Sequence, residues 1–420
     1  MKYDVVIVGG GLSGLMCGLH LIDNGKRCAI ISSGQSAMHF SSGSFDLLGS
    51  MADGTAVESP QESIEKFIEE SPLHPYAKVG KDNFMRLAEL AASTLCRAGV
   101  PVDGSAERNH YRVTPMGTLK ATWLTIDGFI TSEDFSKLPY KKVEIFNVEG
   151  FLDFYMQFIA DEFNRLGTEC RTHLFTLPEL DLRRDNPTEM RSTNIARVFD
   201  KQSNIEALAE IINGKIADDA EAVVIPAAIG IEHTDALAIL RSMCRVPVLC
   251  VATMPPSVAG VCAQIALRKA FEQRGGYYLL GDNVSGAEFG ADGEVKCIFT
   301  TKHGNIGFEA DEFVLASGSF FSQGIVADRD KIVEPIFAAD VYCAEQRNDW
   351  YNRNMFEAQP YESFGVLTDS QFRMLRNGEA IENLYVCGAG ISHFNALTEG
   401  SGAGVSMLTA LSVAENILKK

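Results

Sequence analysis

The run Tyr3–Val8 is short, β-branched and apolar, the pattern of a parallel strand buried on both faces. From Leu12 the period changes. Leu12, Leu15, Met16, Leu19 and Ile22 fall on one face of a helix, and Asn24–Gly25 stops it. Arg27–Ser32 is apolar again and reads as a second strand, which completes a β-α-β unit. Residues 50–80 are polar with scattered prolines and read as a loop with a short helix. Asn83–Ala98 is helical, and 105–140 is irregular or partly stranded. From 140 onward the pattern alternates: strand 141–150, helix 151–167, strand 168–177, helix Asn204–Ile216, strand 221–230, helix 234–244, strand 246–253. A helix over 257–274 follows, then short strands with turns at Gly290–Gly293 and His303–Asn305. A strand in 382–390 and a final helix 403–419 close the chain.

This order predicts an α/β fold. Residues 1–50, 256–330 and 364–420 form a discontinuous Rossmann-like unit, 51–255 an inserted α/β cap or substrate region, and 331–363 a connecting segment. A length of 420 residues suits more than one core. With 46% hydrophobic and 22% charged residues the composition is that of an ordinary globular protein. The formal charge of −18 repels nucleic acid and anionic lipid, so neither is expected as a partner. The ten cysteines form no C-x-x-C pair, and several sit in apolar runs such as "VPVLCVA". That argues for buried thiols in a reducing cytoplasm and against a metal or iron–sulfur site. Residues 5–22 carry no Asp, Glu, Lys or Arg, but five glycines interrupt them. A strand, a turn and a helix account for the stretch better than a membrane helix does.

Gly9, Gly11 and Gly14 stand at G-x-G-x-x-G spacing between strand and helix. Glycines at such a turn let phosphate oxygens approach backbone N–H groups, and the helix N-terminus adds partial positive charge. Gly9, Gly10, Gly11, Leu12, Ser13 and Gly14 are therefore candidate nucleotide contacts. Two distant segments add to them. "DEFVLASGSFF" runs from a strand into Ser317–Gly318, and the C-terminal segment offers Gly388, Gly390, Gly400, Ser401 and Gly402 before another helix. The carboxylate that holds the ribose in dinucleotide folds is missing, since the second strand ends in Ser32 and Ser33. Ser32, Ser33 or the Gly34 amide is a candidate in its place, with Ser33 foremost. Ser41, Ser42, Gly43 and Ser44 offer further hydroxyl and amide donors to flavin phosphate or ring.

These three glycine-bearing segments resemble the nucleotide contacts of two-dinucleotide-binding-domain flavoproteins. "RCAIISSGQSAMHFSSGSFDLLG", "RVTPMGTLKATWL", "TLPELDLRRDNPTEMRSTNIARVFD" and "ASGSFFSQGIVADRD" are similar to the B subunits of bacterial anaerobic glycerol-3-phosphate dehydrogenases, and the likeness spans essentially the whole chain. The resemblance implies a flavoprotein that oxidises sn-glycerol 3-phosphate to dihydroxyacetone phosphate with a quinone as acceptor. It implies FMN as cofactor, with FAD as the alternative that the glycine pattern supports; FMN has no adenosine ribose and needs no carboxylate. It also implies an A-type catalytic flavoprotein partner and an iron–sulfur subunit that holds the pair at the inner face of the membrane. The chain itself would then be cytoplasmic and peripheral.

Alcohol oxidation needs a base, and phosphate needs cations. His39, His110 and His393 are the candidate bases. Arg112, Arg183, Arg184, Arg191, Arg197 and Arg329 are the candidate phosphate ligands, with His39, His393 and Arg329 foremost. The alternatives are an electron-relay subunit whose partner takes the hydride, a nicotinamide-dependent dehydrogenase, and a cofactor-free scaffold.

Overall fold

The computed structural model describes residues 2–184 and 190–420. A largely parallel sheet runs Tyr277–Leu280, Cys28–Ser32, Lys2–Val8, Phe308–Leu315, and Glu379–Val386 extends it beyond the last of these. Val5–Val8 and Cys28–Ile31 are buried, as strands covered on both faces must be. An antiparallel hairpin, Val284–Phe289 with Val295–Thr300, joins the amino end of Phe308–Leu315, and Arg373–Arg376 pairs with Glu379–Val386. The helices Leu12–Asp23 and Gly402–Leu418 belong to the same apolar core. The uncharged stretch 5–22 is thus strand, turn and helix. Among the described residues no helix is long and apolar enough to cross a membrane.

The parallel strands end side by side at Val8, Ser32, Leu280, Leu315 and Val386. Ligands of open α/β sheets bind outside this carboxyl edge. Here the loops leaving it begin at Gly9, Ser33, Gly281, Ala316 and Cys387.

A second sheet is fully parallel and runs Glu169–Phe175, Lys142–Val148, Ala222–Pro226, Val248–Val251. With the helices Met156–Arg165, Gln202–Lys215 and Ala236–Met243 it encloses its own core. The helix expected over 151–167 starts only at Met156, because Asn147 Nδ2 donates to the carbonyls of Phe151 and Phe154 and holds that approach as a loop.

The partition between cores differs from the expected cut at residue 51. Ile64, Phe67, Tyr76, Phe84, Leu87 and Trp123 all pack in the first core. The helices Pro60–Glu70, Pro75–Val79 and Lys81–Arg97 therefore belong with the nucleotide-binding unit, where the sequence shows only polar residues with prolines and one amphipathic helix. Two three-stranded sheets made of two- to four-residue strands bridge the units. One is Ser44–Phe45, Leu124–Ile126 and Val102–Asp103; the other is Leu119–Thr122, His110–Val113 and Thr131–Ser132.

Candidate functional site: a serine- and glycine-lined cavity

A cavity of about 710 Å³ lies along the carboxyl edge of the first sheet. At one end it is lined by Asp282–Ser285. Gly9–Ser13, Ser32–Met38 and Ala316–Ser319 line its length. At the other end stand Ser41, Ser44, Phe45, Ala389, Gly402, Ala403 and Ser406. Among the described residues that line it there is no Lys, Arg or His. A phosphate held here would be met by neutral donors. Those are at hand: the first-turn N–H groups of Leu12–Asp23 and Gly402–Leu418 lack intrahelical acceptors, and of them Gly404 N is taken by Asp46 O at 2.8 Å.

The glycines of the first turn divide by what a Cβ would meet. At Gly9, with φ +116°, it would lie 2.2 Å from Ala316 O; at Gly14 it would lie 1.9 Å from Gly9 O. These two let the turn pack on the neighbouring strand and on its own helix. At Gly10 a Cβ would overlap Tyr278 Oη, and Gly10 O accepts from both Tyr278 Oη and Gln264 Nε2 at 3.1 Å. Gly11 is different. Its backbone is extended (φ −83°, ψ −168°), and a Cβ would meet only Ser36 Cβ at 3.5 Å. That space is cavity, and the missing side chain keeps it open.

At the end of the second strand Ser32 is buried with Oγ donating to Gly34 O at 3.2 Å, whereas Ser33 is exposed. A carboxylate does come close from the neighbouring strand: Asp282 N lies 3.2 Å from Ser32 O. Its side chain is already fully engaged. Asp282 accepts from Asn283 N, Thr301 Oγ1, Lys302 N and His303 Nδ1 at 2.8–3.0 Å, and it is fully covered. Burial opposes its ionisation, but donors from Thr300, Lys302, His303 and Thr301 outweigh that and hold the carboxyl well below its ordinary value. It fixes the turn and has no oxygen free for a ligand.

Of the remaining expected contacts, Ser317, Gly318, Ser41, Ser44 and Gly402 line the cavity. Ser42 is one step back, with Oγ 3.2 Å from Ser44 Oγ. Gly43, at φ +75°, faces the Phe129 ring of the inserted unit. Gly388 packs on Ser13 and Gly390 on Gly318, and Gly400 adopts φ +58° beside Gly49. Ser401 Oγ donates to Glu399 at 2.7 Å. These support the walls from behind.

The three foremost catalytic candidates are not brought together. His39 is half-buried behind the wall, bonded to the Gln264 amide that also holds Gly10 O; burial lowers its pKa and that bond partly offsets it. Its neighbour Phe40 is exposed and meets Phe321 edge-on, ring centroids 4.9 Å apart. His393 lies in a second cavity of about 320 Å³ with His74, Tyr342 and Glu399, its ring stacked 4.1 Å from Tyr342. Arg329 sits on an exposed turn between Val326–Ala327 and Ile332–Val333. His110 is buried with Nε2 2.7 Å from Thr125 Oγ1. Arg191 and Arg197 are exposed and reach Asp153 and Asn194. Arg183 is half-buried, and the Arg184 side chain and residues 185–189 lie outside the described residues. Among the described side chains of these arginines Arg112 alone is buried, at 8% exposure, and its Nε and Nη1 have no hydrogen-bond partner. Burial pushes its pKa down, with Asp46 opposing.

Sequence reasoning missed Gln264, Tyr278, Asn283–Ser285 and Asp46. Gln264 occupies a polar position on an otherwise amphipathic helix, Val258–Gln273, which is a weak signal. The others carry none.

A Rossmann-type sheet with a glycine turn that leaves room for phosphate, two helix N-termini at one cavity and a lining without cations defines a flavin-binding oxidoreductase fold. The family model described as FAD binding domain matches residues 4–405. The chain is 43% identical over 419 residues to the B subunit of the anaerobic glycerol-3-phosphate dehydrogenase of Yersinia enterocolitica, covering 100% of this chain and 98% of that one. It is 40% identical to the corresponding B subunit of Pectobacterium carotovorum, covering 100% and 99%, and 38% identical to that of Actinobacillus pleuropneumoniae, covering 99% of each. The chain belongs to the family of anaerobic glycerol-3-phosphate dehydrogenase B subunits. Solved structures similar to it include the 3-ketosteroid Δ1-dehydrogenase of Sterolibacterium denitrificans (11% identity, TM-score 0.46, 100% of both chains) and a flavocytochrome c3 fumarate reductase (10%, 0.45, 100% and 78%).

Proposed function

We propose that the chain binds flavin in the 710 Å³ cavity and takes part in oxidising sn-glycerol 3-phosphate to dihydroxyacetone phosphate, with electrons passing to a quinone. The observation that carries the reading is end-to-end identity of about 40% with relatives named for that reaction. Bound flavin supplies the hydride acceptor. The chain's own part is to hold the phosphate at the first turn of Leu12–Asp23, to keep water out with Met38 and Phe45, and to hold Phe45–Asp46 at the N-terminus of Gly402–Leu418. FAD is the flavin the cavity favours over FMN. The lining continues past the glycine turn to Asp282–Ser285, a length that a mononucleotide leaves unused. Acid precipitation and chromatography of the released flavin test this; FMN alone would overturn it.

The relatives are named as subunits, and their partners here are proposed to be an A-type catalytic flavoprotein and an iron–sulfur subunit that docks the pair at the inner face of the membrane. The second reading, an electron-relay subunit, is favoured by one observation: no histidine lines the flavin cavity among the described residues. Anaerobic dye reduction with glycerol 3-phosphate separates the two. Turnover by the isolated flavin-loaded chain supports direct oxidation, and turnover only with the A-type partner supports the relay.

A further inference from the structure

Arg112 lies on the small sheet of Leu119–Thr122, His110–Val113 and Thr131–Ser132, which packs through Thr122 on Phe45, a residue that lines the flavin cavity. In its antiparallel register Arg112 stands opposite Lys120, and His110 opposite Thr122. Directly paired residues share a face. That face lies against Phe45–Asp46: Lys120 Nζ is 3.0 Å from Asp46 Oδ2, and Thr122 Oγ1 donates to Asp46 Oδ1 at 3.0 Å and to Phe45 O at 3.3 Å. Asp46 O in turn accepts from Gly404 N at 2.8 Å, beside the cavity-lining Ala403 and Ser406. The sheet therefore sets two cations against one carboxylate, and the carboxylate's oxygens are taken by Lys120 and Thr122. Arg112 is left over, buried, with Nε and Nη1 lacking any acceptor.

A guanidinium keeps its charge at any physiological pH, so burial without an acceptor is a standing cost that neutralisation cannot relieve. A planar fork of unused donors beside a spare positive charge suits a dianionic phosphate monoester, which brings its own acceptors. We propose that Arg112, assisted by Lys120, is the recognition site for the substrate's phosphate, one layer behind the cavity lining at Phe45–Asp46. The proposal rests on the glycerol 3-phosphate reading above. It divides the work: neutral backbone donors hold the cofactor's phosphate, and a buried cation holds the substrate's.

The test uses the full flavin-loaded chain, titrated with sn-glycerol 3-phosphate, glycerol and inorganic phosphate while the flavin absorption spectrum and Tm are followed. Arg112→Met should weaken glycerol 3-phosphate binding about 10- to 150-fold, the worth of one charge-assisted hydrogen bond. Its Tm should hold or rise, because an unpaired buried charge is replaced by a similar apolar volume. Arg112→Lys keeps the charge without the fork, so its affinity should fall by less; it carries the same test if the Met variant does not accumulate. Unchanged affinity in both variants, with the wild type responding to glycerol 3-phosphate, overturns the phosphate site and leaves the substrate reading standing. A wild type that ignores glycerol 3-phosphate but binds inorganic phosphate through Arg112 keeps the anion site and overturns the substrate reading. No response to either anion overturns both.

Discussion

Replacing Gly11 by Val should empty the cavity of flavin and leave the fold in place. Gly11 is the N-cap of Leu12–Asp23, and its φ of −83° suits any L residue. The nearest atom to its Cβ is Ser36 Cβ at 3.5 Å, an ordinary van der Waals contact. The cost to the apoprotein is then that of a poor N-cap, at most about 1 kcal/mol. Toward a ligand the same change is severe. An N–H···O contact needs about 2.9 Å between heavy atoms. A branched side chain rising from the turn keeps a phosphate oxygen beyond that distance from its amides. Losing two charge-assisted hydrogen bonds removes about 3–6 kcal/mol, or roughly 10²- to 10⁴-fold in Kd. The assay is flavin content per chain by absorbance near 450 nm after gel filtration, with far-UV circular dichroism and Tm on the same sample. Full flavin stoichiometry in Gly11→Val would refute the assignment of this turn. So would loss of flavin only through unfolding.

Gly9→Ala and Gly14→Ala should behave in the opposite way. Each forces a Cβ against a backbone oxygen, at 2.2 and 1.9 Å, so both should lose at least about 3 kcal/mol of apoprotein stability in urea melts; wild-type midpoints would be inconsistent with the packing described. His110→Gln tests the pH response. Burial holds the His110 pKa below its ordinary value, so below about pH 6.5 the unfolded chain binds a proton that the folded chain does not, and stability falls as pH drops. The variant should flatten the stability curve below about pH 6.5 by up to about 1.4 kcal/mol per pH unit, and an unaltered slope tells against it. Native thiol titration should label Cys96 first, since it is exposed while burial pushes Cys28, Cys250 and Cys387 up to about 12; rapid labelling of those three would contradict the core.

Much of the fold was legible because long elements announce themselves by period. Tyr3–Val8, the Leu12–Ile22 face and the alternation after residue 140 each repeat often enough to be read. The small bridging sheets were not, since strands such as Ser44–Phe45 and Thr131–Ser132 are too short to show any alternation. The cut at residue 51 misplaced Pro60–Arg97 because those helices are polar on average, and only packing reveals which core takes Phe67 and Phe84. In the site, glycine spacing marked the turn correctly but made Gly9, Gly11 and Gly14 look equivalent. The difference between a glycine that admits a neighbour and one that borders open space lies in Ala316 and Ser36, distant in sequence from the motif. His39 and His393 were chosen for loop-like context. Context says nothing about whether a ring faces a given cavity, and neither ring lines the first one.

The pairing of Lys2–Val8 with Phe308–Leu315 has a consequence for the newborn chain. Lys2–Val8 finds one neighbour, Cys28–Ser32, at once, but its other edge waits for a strand about 300 residues later, roughly 15–60 s of synthesis at about 5–20 residues per second. The parallel sheet 142–251 lies wholly within that interval and closes on its own apolar interior. The second sheet can therefore be complete before the first one is. Until Phe308–Leu315 is made, one edge of Lys2–Val8 keeps its backbone donors and acceptors unpaired, the kind of open strand edge that invites pairing with another chain.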